Sequence, residues 1–262
     1  MKAIILAAGQ GTRLKPITNT IPKCLTPLFG KTIIERQLEV FKKLNICDIS
    51  IVVGYKKNKI LYNNIHYYEN KLYSSTNMVE TLFCAREKLT NDVIVSYGDI
   101  VFEEKILKKL IDSTDDISVV IDNNWKNYWQ KRFKNPLEDV ESLTLDKNNF
   151  ILDMGQKVSS LNVIQGQYIG LMKFQNNATS IIKNFYDNSK ELSLKGNNPL
   201  NPNLPFNKSY MTDFLRGLIQ KEIKIKGIKV NGGWLELDTI HDLELYEQMY
   251  ENGELKNFFN IN

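Results

Sequence analysis

The sequence predicts an α/β protein: a doubly wound mixed sheet in one domain of 262 residues, with a small β-rich insertion lobe. Three observations predict it. The chain opens on a near-continuous apolar run, residues 2–7 (KAIILA), which two glycines then break. Apolar strand-like runs alternate with segments of helical period as far as about residue 121. Beyond about residue 123 the pattern changes, and hairpin-like runs surround a turn at 146–149 (DKNN).

Taken in order, residues 2–7 have the composition of a central parallel strand covered on both faces. In residues 32–44, Ile33, Ile34, Leu38, Phe41 and Leu44 recur at helical spacing. Residues 48–53 (DISIVV) form a second strand, ended by Gly54. Thr76 caps a helix that carries Val79, Leu82, Phe83 and Leu89. Residues 92–96 form a third strand, followed by Tyr97, Gly98 and Asp99; a helix at 103–111 and a strand at 117–121 complete the alternation. Residues 124–136 show no clear period, and 142–173 read as hairpins and strands. Residues 181–186 and 211–219 read as helical, with a long Asn/Pro/Gly-rich loop at 193–208 between them. A strand at 223–230, the stretch GGWLELD and a helix from Ile240 close the chain.

The charge balance narrows the partners. There are 34 basic and 30 acidic residues, a net charge of +4, and no basic face stands out, so nucleic acid is not expected. Lys126, Lys131, Arg132 and Lys134 read as an ordinary solvated face. Three cysteines, Cys24, Cys47 and Cys84, without CxxC spacing indicate neither a disulfide framework nor a zinc site. The opening apolar run is too short for a signal peptide, and no run approaches the roughly 18 residues that span a bilayer. The expectation is a cytoplasmic protein with no membrane partner. A homodimer through the 142–173 lobe is compatible with the pattern but not demanded by it.

The chemistry starts in the loop LAAGQGTRLKPITNTIPKCL, residues 6–25. A glycine-rich turn at the carboxyl end of a first parallel strand sits where open α/β sheets bind ligands. Glycines there let backbone N–H groups converge on an anion. Leu14 occupies the third position of GxGxxG, so this is not the dinucleotide fingerprint, and no GK[ST] follows. Arg13 and Lys23 add two cations, a pair that suits a triphosphate better than a single phosphate. A solvated basic loop is the alternative reading.

The stretch LAAGQGTRLKPITNTIPKCLTPLFGKTIIERQL resembles the signature of the nucleotidyltransferases that make sugar nucleotides and related compounds, LAAGxGTRLxPxTxxxPKxLxPxxGKPxIExxL. Thr32 stands where that signature has proline. The resemblance extends to IVVGY at 51–55, to Asp99 and to Asp238 within WLELD, and is thin between 124 and 208. It implies a Rossmann-like fold of the nucleotide-diphospho-sugar transferase type. Residues 1–123 would hold the nucleotide; residues 124–262 would hold the acceptor and the C-terminal metal aspartate. It implies that Leu6, Ala7, Ala8, Gly9, Gly11 and Thr12 wrap the nucleotide and that Arg13 and Lys23 neutralise its phosphates. It also implies that Asp99, after Gly98, and Asp238 hold Mg2+. On spacing alone, Asp99 and Asp238 could instead be helix caps, and Glu236, on the same side of its strand as Asp238, is a weaker candidate.

The segment LYSSTNMVETL (72–82) resembles CTP-dependent members of the family that activate small zwitterionic phosphates, and implies that Ser75, Thr76 and Asn77 contact the nucleotide. GQYIGLMKF, SYMTDFLRGLI and GGWLELDT resemble a narrower group of these enzymes, implying L-glutamine phosphate as acceptor in a capsular phosphoramidate pathway. Phosphocholine, 2-aminoethylphosphonate, or a sugar 1-phosphate with UTP or dTTP are the other acceptor readings; a non-catalytic nucleotide sensor is a reading of another class. An aromatic cage would draw on Trp125, Tyr128, Trp129, Tyr168 and Trp234. An amino-acid-like acceptor would draw on Glu80, Lys131, Arg132, Lys173, Asp213 and Arg216. No partner for His66 or His241 is visible in the sequence.

Overall fold

The first strand is apolar from Ala3 to Ala7 and buried along that whole length, so it can lie only between two covered layers. In the computed structural model, which describes residues 1–261, the strands are β1 (Lys2–Ala7), β2 (Pro27–Leu28), β3 (Lys31–Thr32), β4 (Asp48–Val53), β5 (Ile65–Glu69), β6 (Val93–Tyr97), β7 (Ile100–Phe102) and β8 (Ile117–Asp122). They continue as β9 (Glu141–Leu145), β10 (Ile151–Lys157), β11 (Gln167–Phe174), β12 (Lys226–Val230) and β13 (Trp234–Glu236). The α-helices are α1 (Ile33–Lys43), α2 (Met78–Cys84), α3 (Glu104–Asp112), α4 (Trp125–Arg132), α5 (Ala178–Lys195), α6 (Met211–Gln220) and α7 (Ile240–Glu251).

Seven strands make one sheet in the order β12-β8-β11-β6-β1-β4-β5. Its neighbours are parallel except β11, which runs antiparallel to both β6 and β8. Side chains from α1, α3, α4 and α7 fill the core on one face, with Phe41, Leu107, Tyr128 and Tyr246 among them. Those of α2, α5 and α6 fill the other, with Leu82, Ile182 and Phe214. The sheet takes β1, β4, β5, β6 and β8 from before residue 123 and β11 and β12 from after it.

Several elements depart from the expectations. Residues 125–132 form α4, because Trp125, Tyr128, Trp129 and Arg132 share one helical face and are all buried, while the lysines and asparagine between them hide the period. β11 leaves the 142–173 segment and joins the main sheet, so the lobe reduces to the β9–β10 hairpin. α5 runs on to Lys195, into the stretch read as loop, and the last long strand starts at Lys226. The cap of α2 is Asn77, whose Oδ1 accepts from the Met78 N–H at 2.9 Å; Thr76 instead bonds the Leu72 carbonyl and Asn70. β5 and β7 were not expected; both are short, and β5 is a half-polar edge strand. Among the described residues no helix is long and apolar enough to cross a membrane.

Candidate active site

β1 delivers the chain to the carboxyl edge of the sheet, where Gly9 lies open, with no atom near the place of a Cβ. Gly11 has φ +62, and a Cβ there would come within 2.8 Å of Lys23 Cβ. A side chain at that position would therefore be strained and would displace the lysine. The Thr18 hydroxyl donates to the Gly11 carbonyl at 2.8 Å and closes the turn. On the adjacent strand, Gly98 packs on β1 so closely that a Cβ would meet the Leu6 carbonyl oxygen at 2.7 Å. Gln37 of α1, fully buried, donates to the carbonyls of Tyr97 (2.8 Å) and Ile100 (2.7 Å) and so clamps the turn that carries Asp99.

A second small ladder brings the distant aspartate to the first. β13 pairs antiparallel with β7, and beyond it the Leu237 N–H donates to the Asp99 carbonyl at 2.9 Å. Asp99, Glu236 and Asp238 thereby converge, with one carboxylate oxygen from each within 4.8 Å of the others. Lys23 lies between two of them: Nζ is 2.7 Å from Asp99 and donates also to Asp238. Arg13 reaches Asp238 at 2.6 Å from a side chain that is 61% exposed. The other oxygen of Asp99, Oδ1, is buried and has no hydrogen-bond partner.

The charges shift one another strongly. Burial works to lower the Lys23 pKa, but Asp99, Asp238 and Glu236 outweigh it and raise the ammonium above the ordinary lysine range. Burial works to raise Asp238; Lys23 and Arg13 outweigh it and hold the carboxylate below its ordinary range. Burial pushes Glu236 up to about 7, Arg132 opposes the rise, and Asp238 and Asp99 add to it.

A rigid shell holds the acidic group in place. Arg132, 3% exposed, pairs through Nη1 with Glu236 (2.8 Å) and through Nε with Asp242 (2.8 Å). Asp242 accepts from the Asp238 N–H (3.0 Å) and from the Thr239 N–H (2.8 Å), as part of the capping box that starts α7. The cap of α7 is thus Thr239 rather than Asp238, and Glu103 precedes α3 in place of Asp99. Tyr128 accepts from the Glu236 N–H (2.9 Å) and the Tyr246 hydroxyl donates to the Glu236 carbonyl (2.6 Å). Three carboxylates, one of which keeps a buried, unpartnered oxygen, form an all-oxygen donor set, which fits a hard divalent cation such as Mg2+.

A cleft of about 240 Å³ opens beside this centre, bounded by Arg13, Glu236 and Asp238 at one side and by Tyr168, Trp129, Trp234 and the Asp139–Glu141 stretch elsewhere. A smaller hollow adjoins Leu6, Ala7, Gly9, Lys23, Gly98 and Asp99. The structure therefore brings together Arg13, Lys23, Asp99, Glu236, Asp238, Tyr168 and Trp234. Ala8 and Thr12 lie on the glycine loop beside them. Ser75 and Asn77 belong to the segment leading into α2, where the Asn207 amide donates to the Ser75 carbonyl at 3.0 Å.

Other expected acceptor residues go elsewhere. Lys173 is at the opposite end of the sheet, fully buried, donating to the carbonyls of Ile111 (3.0 Å) and Ser113 at the end of α3. Glu80 faces α5, accepting from Tyr186 at 2.6 Å and pairing with Lys190. Asp213 caps α6 through the Tyr210 N–H (2.8 Å) and holds Asn201. Trp125 and Tyr128 belong to the core. Arg216 pairs with Asp153 at 2.9 Å, and Lys131 with Glu254. Arg132, read as solvated, is the support of Glu236. Asp139, Glu141, Gln167 and Asp242 were not expected. Stripe spacing at Trp125, Tyr128, Trp129 and Arg132 was the available signal for Arg132; Asp242 carried the N3 signal of a capping box after Thr239.

Two cations and three carboxylates thus gather beside a glycine loop at the carboxyl edge of an α/β sheet, in a chain whose sequence is that of a nucleotidyltransferase. The chain belongs to the family of the MobA-like NTP transferase domain, which matches residues 3–148. Over 257 residues it is 38% identical to CTP:phosphoglutamine cytidylyltransferase of Campylobacter jejuni, covering 94% of this chain and 98% of that protein. It is 38% identical over 118 residues to choline-phosphate cytidylyltransferase of Streptococcus pneumoniae, covering 44% of this chain and 52% of that protein. It is 27% identical over 248 residues to the bifunctional protein GlmU of Methanococcus aeolicus, covering 93% of this chain and 53%, about half, of that protein. The fold is that of the solved CTP:phosphocholine cytidylyltransferase from Streptococcus pneumoniae, with TM-score 0.72, 24% identity, 95% of this chain and 98% of that chain. The inositol-1-phosphate CTP transferase from T. maritima shares it at TM-score 0.70 and 19% identity, with 99% of this chain and 97% of that one covered.

Proposed function

We propose that this protein is a Mg2+-dependent cytidylyltransferase joining CTP to a small phosphorylated acceptor, L-glutamine phosphate, to give a CDP-linked product and pyrophosphate. The observation that carries the reaction type is the convergence of Arg13, Lys23, Asp99, Glu236 and Asp238 beside the glycine loop. Cytidine and glutamine rest on the 38% identity to an enzyme of that name over nearly the whole chain. In this reading residues 1–123 hold the nucleotide and residues 124–262 hold the acceptor and supply Asp238. The setting is a cytoplasmic step of capsule phosphoramidate synthesis.

An ionised oxygen of the acceptor phosphate attacks the α-phosphorus of CTP. A new P–O–P bridge forms, the bond from the α-phosphorus to the bridging oxygen breaks, and pyrophosphate departs with that electron pair. The nucleophile is already an anion, so the protein's task is to align two anions and offset their charge. Mg2+ held by Asp99 and Asp238 supplies charge neutralisation between them when bound. The open backbone at Gly9 admits the nucleotide, Arg13 and Lys23 neutralise the triphosphate, and Ser75, Thr76 and Asn77 offer polar groups to the base and ribose. Arg132 and Asp242 keep Glu236 and Asp238 in place throughout.

A pyrophosphate-release screen tests the reading, with CTP, UTP, dTTP and GTP each offered L-glutamine phosphate, phosphocholine, 2-aminoethylphosphonate and hexose 1-phosphates. The expected result is turnover with CTP and L-glutamine phosphate. A preference for UTP or dTTP with a hexose 1-phosphate overturns it. Nucleotide binding without any pyrophosphate release would identify a sensor instead.

A further inference from the structure

The signature stretch that opens the chain runs on past the glycine loop to the segment IERQL, which contains Gln37. Gln37 lines neither the cleft nor the hollow beside Lys23. It is 1% exposed, on a face of α1 that also carries Ile33, Ile34 and Phe41, all fully buried. A polar group in such a place is costly unless its hydrogen bonds are made. Those of Gln37 are made on one side only. The amide nitrogen donates twice, to the carbonyls of Tyr97 and Ile100, while Oε1 is buried without a partner. Both partners are acceptors, so the nitrogen and not the oxygen must face them. A leucine or methionine would fill this place with no orphaned oxygen, so the amide answers a need other than packing.

That need is the turn between β6 and β7. Tyr97 ends one strand, Ile100 begins the next, and only Gly98 and Asp99 lie between them. One nitrogen thus holds both ends of the turn that presents Asp99. The Ser96 hydroxyl also reaches the Tyr97 carbonyl, at 3.1 Å; among the described residues no other side chain donates to that of Ile100. The helix that carries Gln37 is itself fixed to the Lys23 segment. The Ile33 N–H donates to the Thr26 carbonyl at 3.3 Å, and Thr32 and Glu35 close a capping box at the helix start. α1 therefore links Lys23 to Asp99, whose side chains meet at 2.7 Å.

We propose that Gln37 is a positioning residue for the metal centre. It holds the β6–β7 turn so that the Asp99 carboxylate stays within the group formed with Glu236 and Asp238, and it does so without touching metal or substrate. The inference rests on the reading of Asp99 as a Mg2+ ligand. Supports of this kind, one step removed from a ligand, govern about 10–100-fold in metal affinity or activity.

The test uses Mn2+ as the probe, because its binding is read by electron paramagnetic resonance without turnover. Affinity is measured with α,β-methylene-CTP at saturation and Mg2+ as competitor, for the wild type, Asp99→Asn, Gln37→Met and Leu110→Ala. Leu110, fully buried in α3, is the control for lost stability alone. The expected result is that Asp99→Asn binds Mn2+ most weakly and that Gln37→Met binds it about tenfold or more weakly than the wild type. Leu110→Ala should bind as the wild type does, even where its Tm falls as far. In turnover, the Mg2+ concentration for half-maximal pyrophosphate release should rise by a similar factor in Gln37→Met, with the KM for CTP less changed. Mn2+ affinity in Gln37→Met within about twofold of the wild type overturns the proposal, as does equal weakening in Leu110→Ala. Should Gln37→Met fail to fold, Gln37→Glu, of the same size but with at most one donor, decides by the same criterion. Mn2+ bound equally by the wild type and Asp99→Asn defeats the metal reading of Asp99, and the proposal with it. Absence of pyrophosphate release with every acceptor defeats the transfer reading alone and leaves Mn2+ binding to judge Gln37.

Discussion

Asp99 offers one oxygen to Lys23 and keeps the other, Oδ1, buried without a donor. Such an orphan costs about 1–3 kcal/mol, a strain retained where a ligand is to fill it. Asp99→Asn should therefore lower kcat for pyrophosphate release at least about a hundredfold, while the Tm stays within a few degrees; wild-type turnover with Mg2+ would remove Asp99 from the metal site. Glu141 gives a second prediction. Its folded pKa, about 7, lies above its ordinary 4.5, so between those values the folded protein keeps a proton that the unfolded chain has released. Its contribution to stability is complete below about 4.5 and is lost as pH rises toward 7. Glu141→Gln removes that loss, so Tm of the variant minus Tm of the wild type should grow across this window; a flat difference would deny the shift. At this scale the sequence was legible where one short loop carries the chemistry, as with Arg13 and Lys23. Glu80, Lys173 and Asp213 were misplaced because their partners, Tyr186, the α3 carbonyls and the Tyr210 N–H, are set by packing rather than by spacing.

Among the elements, α4 carries the most consequence for the site. It buries three aromatic side chains and points Arg132 into the space between β13 and α7. Replacing one partner of a buried ion network leaves the others uncompensated, at about 3–5 kcal/mol. Arg132→Met should lose roughly that much in chemical denaturation. Activity should also fall below what the folded fraction explains, because Glu236 and Asp238 lose their common support. A loss under about 1 kcal/mol would place Arg132 among ordinary surface charges. The strongly periodic elements, α1, α3, β1, β4, β6 and β8, were readable from their own residues. α4 escaped because its buried stripe ends in an arginine and is interleaved with Lys126, Asn127 and Lys131. β7 escaped because a three-residue strand carries no period, although its pairing with β13 brings Asp99 and Asp238 together.

For the molecule as a whole, local pattern announced alternating strands and helices but could not announce β11, since antiparallel insertion between β6 and β8 is a pairing across distant sequence. That insertion decides what can exist as a separate piece. Both neighbours of β8, β11 and β12, lie beyond residue 148, where the family match ends. An excised 1–148 polypeptide would leave β8 stranded and expose β6 as a raw edge, an invitation to aggregate. It should be recovered insoluble or without cooperative melting by circular dichroism, and co-production with 149–262 should restore a soluble complex; a monomeric, cooperatively melting 1–148 would contradict this. The same geometry bears on inheritance. A recombination event near residue 148 could not trade one acceptor half for another as an interchangeable cassette, because the incoming half must also supply the two strands that flank β8. New acceptor preferences in this chain would have to arise by substitution within the cleft rather than by exchange of modules.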